Sequence, residues 1–145
     1  MDMSPLSIDN MLAIQHALQV KSFGNDPKTL TEEERVEWIR WNMLALEDEL
    51  HEALAETGWK PWATSKHVNR MAFIGELVDA WHFFLNLLLV VDCDAAEFTQ
   101  TYAKKRQLNA ERQAAGYDGV TGKCSVCKRA LDDPAVQCTA DYHTD

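Results

Sequence analysis

Residues 71–91 are apolar almost without interruption, and the exceptions are Glu76, Asp79, His82 and Asn86. At about 100° per residue these four side chains fall within an arc of about 120° on a helix. The run is long enough to cross a bilayer, but its ionisable groups would cost several kcal/mol there. A core helix fits better: it is apolar round most of its circumference, so its single polar stripe must face something that compensates the charge.

Three more helices are predicted around it. Ser7 caps a first one reaching about residue 20, with Met11, Ile14 and Leu18 on one face. The segment SFGNDPK breaks it, and Thr31 with Glu34 forms a capping box for a long second helix carrying Val36, Ile39, Met43, Leu46, Leu50 and Leu54 up to Gly58. Pro61 prevents its continuation, so the third helix restarts near Ser65. Asp94 with Glu97 caps a fourth, which stops at Gly116. Four helices with short loops predict an all-α, four-helix bundle-like core over residues 1–117 with antiparallel neighbours. Residues 118–145 are short, polar and Gly-containing, an appended tail with no apolar period.

With 145 residues and 46% hydrophobic content the chain can bury an ordinary core. A net charge of −9 argues against long nucleic acid as a partner, since phosphate-backbone binders carry clustered basic surface. The start, MDMSPLSIDN, lacks the basic and apolar regions of a signal peptide, so a cytoplasmic protein with reduced cysteines and no membrane partner is expected.

The second helix offers a match for the polar stripe of the third. Glu49, Glu52 and Glu56 fall within about 60° of one another on the flank of its apolar face. Glu49 and Glu52 alone would read as a solvated surface pair. Opposite Glu76 and Asp79 they form two acidic lines whose mutual repulsion calls for hard divalent cations, Mg²⁺ (or Mn²⁺) by ligand type. On the fourth helix Tyr102, Lys105, Asn109 and Arg112, spaced by 3, 4 and 3, share a face that is either an ordinary charged surface or a phosphate-binding one.

The pairs Glu49-Leu-His-Glu52 and Glu76-Leu-Val-Asp79, the wording GELVDAWHFF and the run YAKKRQLNAERQAAGY together resemble the all-α nucleoside triphosphate pyrophosphohydrolases, the MazG-like enzymes and dimeric dUTPases. The resemblance implies hydrolysis of a deoxynucleoside triphosphate to the monophosphate and diphosphate, with dUTP the first choice and dCTP, dATP or dGTP possible within the class. It implies Mg²⁺ at Glu49, Glu52, Glu76 and Asp79, with Glu49 and Glu52 as catalytic carboxylates and Glu49 the favoured general base. Lys60, Lys105, Asn109, Arg112 and Tyr117 would contact phosphates, and Gln15, Trp59 and His82 the base, in a homodimer or higher homo-oligomer. Read without the resemblance, these last three are a surface Gln, a packing Trp and a core His.

The tail reads Cys124-x2-Cys127-x10-Cys138-x4-His143, a spacing suited to Zn²⁺, which would order a segment with little core of its own. Cys93 stands apart as a small packing residue. A rival reading is a non-catalytic helical module whose zinc tail recruits a protein partner. A di-iron bundle is disfavoured, because Asp79 and His82 have no counterpart at Glu-x-x-His spacing on the second helix.

Overall fold

A computed structural model of the chain describes residues 5–132. They form α1 (Ile8–Ser22), α2 (Glu32–Ala55), α3 (Arg70–Val90) and α4 (Ala95–Ala114). Among the described residues there is no strand, only isolated antiparallel bridges at Thr57 with Val68 and Lys123 with Ala130. The fold is all-α.

Local chemistry explains most of the helix ends. Ser7 and Asn10 form a capping box at α1, and Thr31 with Glu34 does the same at α2, each donating its backbone N–H to the other's side chain at 2.8 and 3.3 Å. Asp94 accepts the Glu97 N–H at 2.8 Å at the start of α4. At its end Gly116 takes φ +77°, while the Gly116 and Tyr117 N–H groups bond back to Gln113 and Arg112 carbonyls at 3.1 and 3.0 Å.

The start of α3 differs from the sequence expectation: it begins at Arg70 instead of near Ser65, and α2 stops at Ala55 instead of Gly58. The intervening chain is used to clasp the end of α2. Gly58 N–H bonds to the His67 carbonyl at 2.9 Å and Asn69 N–H to the Glu56 carbonyl at 2.8 Å. A Cβ on Gly58 would lie 2.1 Å from the Ser65 carbonyl oxygen, so the approach requires glycine. Backbone spent on this crossing cannot also be helical.

The described residues divide after Gln100 into two compact units. The apolar period of the sequence runs on to the end of α4; composition and contact thus mark different boundaries. In the first unit α3 packs on α2 and on α1. Its core is Leu12, Leu85, Leu88, Leu89 and Ala95, with Met11, Trp81, Phe84 and Phe98 packed against it. The Trp81 and Phe84 rings stack at 5.2 Å, and Phe98 meets Phe84 edge-on at 5.7 Å.

The expectation of a core helix along the whole of α3 holds only for its C-terminal half. Met71, Ile74, Leu77 and Val78 are exposed in the single chain, because α1 reaches only the far end, where Met11, Leu12 and Gln15 meet residues from Trp81 onward. By length and composition alone α3 could cross a membrane; it also packs on two helices and carries an acidic pair, which is costly within hydrocarbon.

Candidate functional site

The two acidic lines do face each other. One oxygen from each of Glu49, Glu76 and Asp79 lies within 4.8 Å of the others. Glu76 and Asp79 are one turn apart on α3, so both project from the same face, and Glu49 comes from α2 opposite. Glu49 is half-buried, and partial burial together with the negative charges of Glu52, Asp79, Glu76 and Asp48 pushes its carboxyl above the usual range. Among the described residues none of the three is paired with Lys, Arg or His. Three converging hard-oxygen donors without a basic partner suit a small divalent cation such as Mg²⁺.

Glu52 stands outside the trio; it is exposed and acts on Glu49 through charge. Glu56 is drawn off to the interhelix clasp, where it accepts the Asn69 side-chain amide at 2.8 Å.

Two turns from the acids, about 10 Å along the helices, lies a layer of neutral amides. Asn42 precedes Glu49 by seven residues on α2 and Asn86 follows Asp79 by seven on α3, which places both layers in one antiparallel register. The amides form a directed chain. Asn42 Nδ2 donates to the Trp38 carbonyl at 2.8 Å, so its Oδ1 is left to accept from Asn86 Nδ2, also at 2.8 Å. Asn86 Oδ1 in turn accepts from Gln15 Nε2 at 2.8 Å, and Gln15 Oε1 meets His82 Nδ1 at 2.8 Å. Because an amide oxygen can only accept, Nδ1 of His82 carries a proton in this bond. Gln15, Asn42 and Asn86 are all buried, which gives this polarity its force, since reversing it would strand buried donors.

Asn42 and Asn86 also line a cavity of about 580 Å³ with Gln19, Trp38, Trp41 and Phe83. The Trp38 indole Nε1 is buried there without a hydrogen-bond partner. A roomy depression with aromatic walls and spare polar groups suits a flat heteroaromatic ligand.

Two other expected residues lie elsewhere in the first unit. Trp59 and Lys60 line a separate cavity of about 550 Å³ with His51 and His67, and Lys60 Nζ sits 6.0 Å from the Trp59 ring centroid. Lys105, Asn109, Arg112 and Tyr117 belong to the second unit. Its Arg112 guanidinium forks onto Asp132, with Nε to Oδ2 at 3.0 Å and Nη2 to Oδ1, and also reaches Asn109 Oδ1 at 3.4 Å. Cys124 and Cys127 are described there, whereas Cys138 and His143 lie outside the described residues.

Sequence reasoning missed Asn42, Gln19 and Trp38. Asn42 could have been found: it interrupts the apolar face of α2 on the same line as Glu49, just as Asn86 does on α3. Trp38 carried no signal, because an amphipathic helix commonly packs a Trp.

Residues 7–101 match the sequence profile of a family described as dUTPase. The chain is also 30% identical over 143 aligned positions to the dCTP pyrophosphatase of Enterobacteria phage T4, covering 78% of this chain and 82% of that protein. No solved structure matches it.

Proposed function

We propose, from the premise that this chain belongs to the all-α dUTPase family and is a nucleoside triphosphate pyrophosphohydrolase, that its substrate is a pyrimidine deoxynucleoside triphosphate, dUTP or dCTP. The observation that carries the reading is the pairing of two layers in one register: a carboxylate trio, and an amide chain one ligand-length away. Triphosphate and base are the two ends of such a substrate. The family's dUTPase description and the T4 relative's name both concern pyrimidines that differ at one ring position, so a chain of oriented amides ending in His82 is suited to telling them apart.

Glu49, Glu76 and Asp79 would hold Mg²⁺ or Mn²⁺, with Glu52 a further candidate ligand. When bound, the cation supplies neutralisation of triphosphate charge and acidity for a water molecule. With Glu49 drawn into the trio, Glu52, one turn along and exposed, is the carboxylate at hand to take a proton from the attacking water. Gln15, itself held by Asn86, would keep the His82 ring in one orientation.

The apolar strips left open on α2 and α3, including Trp41, Leu44, Leu50, Met71 and Val78, support assembly of at least a homodimer. The test is diphosphate release from each dNTP in Mg²⁺ and in Mn²⁺. A pyrimidine preference is expected; release from no dNTP would sink the enzyme reading, and faster turnover of dATP or dGTP would sink the substrate assignment.

A further inference from the structure

Beyond α4 the chain folds back on itself and delivers an acid to a base. Leu131 N–H donates to the Gly122 carbonyl at 2.8 Å and Cys124 N–H to the Arg129 carbonyl at 2.8 Å, with Lys123 and Ala130 bridged between them. Asp132, the next residue along, is thereby brought to a cavity that Gly122 and Arg112 both line, and there the Arg112 guanidinium forks onto its carboxylate. The partners are 20 residues apart in the chain. A two-point fork of this kind is also the geometry by which arginine grips phosphate.

The two partners are unequally exposed. The Arg112 side chain is 17% exposed and that of Asp132 53%, so the cation is built into the site while the anion stands at its solvent side. The cavity beside them measures about 350 Å³, room enough for a phosphate group. A second acid in its wall, Asp118, is committed to its own turn. The Thr121 hydroxyl and the Val120 and Thr121 N–H groups, the latter two at 2.8 and 2.7 Å, all bond its carboxylate and hold its carboxyl down at about 2. Asp132 is tied across the hairpin to Arg112 instead, and that fork, with added attraction from Lys105, keeps its carboxyl below the usual range.

Lys105, Asn109 and Arg112 recur at spacings of 4 and 3 on α4, and Arg112 Nη1 reaches Asn109 Oδ1 at 3.4 Å. We propose that Asp132 is an internal competitor of the triphosphate: its carboxylate occupies the Arg112 fork until a polyphosphate displaces it. The proposal rests on the pyrophosphohydrolase reading, with α4 supplying phosphate contacts. Such a competitor restrains affinity and not chemistry, because the apparent dissociation constant rises as the fraction of chains with an unoccupied Arg112 falls. Asp132 can yield readily, since a half-exposed carboxylate that leaves an ion pair is taken up by water.

The experiment is titration calorimetry of the full-length chain with inorganic tripolyphosphate in Mg²⁺ at low ionic strength, alongside steady-state kinetics on dCTP and dUTP. Asp132→Asn should bind tripolyphosphate about 3–10-fold more tightly than wild type and lower KM by a similar factor with kcat little changed. In an Arg112→Ala background the same substitution should have no effect. Glu111→Gln, which removes one negative charge from the neighbouring position on α4, should leave the affinity as it is. Three results would overturn the proposal: affinity unchanged or weakened by Asp132→Asn, binding by neither chain included; a gain that persists without Arg112; or an equal gain from Glu111→Gln. Binding is read without turnover, so the two readings separate. A chain that releases no diphosphate yet gains tripolyphosphate affinity on Asp132→Asn would end the enzyme reading and uphold the competition, whereas an active chain without that gain would end the competition alone.

Discussion

The two halves of α3 are built from the same kinds of residue and are used in opposite ways. From Ala80 onward its Leu85, Leu88, Leu89 and Val90 are buried in a dry core under α1 and the first turn of α4. Before Ala80, Met71, Ile74, Leu77 and Val78 are exposed around the carboxylates of Glu76 and Asp79. The difference shows that apolar composition alone does not make a core. One half is covered within the chain, and the other is left open beside the charge, where a substrate, cations and a second copy of the chain could supply the cover.

The largest expected effect tests the acidic half. Glu76→Gln should lower turnover by about 10²–10⁴-fold with helix content unchanged, since it removes one of three converging carboxylates. A variant with wild-type turnover would separate the trio from the chemistry. Next comes the dry half: Leu85→Ala, at 2% exposure, should cost about 2–5 kcal/mol in denaturant unfolding, whereas Val78→Ala, at 49%, should change monomer stability by less than about 0.5 kcal/mol. If Val78→Ala instead destabilises as much as Leu85→Ala in a concentration-dependent way, that face is covered by a partner chain.

A smaller effect sits in the amide layer within the covered half. Asn42→Ala should cost about 1–3 kcal/mol, because the buried Asn86 amide loses its acceptor, and it should blur discrimination between dCTP and dUTP more than it lowers turnover. The smallest concerns Glu49, whose carboxyl is held above its ordinary range by burial and then by like charges. A raised carboxyl value means the folded state binds its proton more tightly than the unfolded state, so this group opposes folding at neutral pH and ceases to do so as pH falls through the raised value. Glu49→Gln should therefore raise Tm slightly in EDTA at pH 7 while abolishing activity, and Mg²⁺ should raise the wild-type Tm more than that of the variant. A lower Tm for Glu49→Gln in EDTA would show that the carboxylate is stabilised by contacts other than a cation.

Much of this was legible from residue order. The stripe Glu76, Asp79, His82, Asn86 and the pair Glu49, Glu52 follow from helix period, and the capping residues Ser7, Thr31 and Asp94 mark starts through hydrogen bonds made three residues away. The start of α3 was misplaced because nothing after Pro61 bars a helix from Ser65 until Gly58 is seen to need that stretch of backbone beside it. Glu52 looked equivalent to Glu49, and only packing separates the half-buried carboxylate from the exposed one. Trp59 and Gln15 looked like members of one base pocket, yet Gln15 is sealed into the amide chain and Trp59 lies over a different cavity.

Which side chains share a helix face is a local matter of about 100° per residue, and the amino-acid order of this protein determined it unaided. Which faces meet, in what register, and which of several acids is partly taken out of water were decided by the tertiary structure. Those outcomes depend on contacts between residues far apart in the chain, such as Gln15 with His82 and Glu49 with Asp79, whose energies no single helix can express.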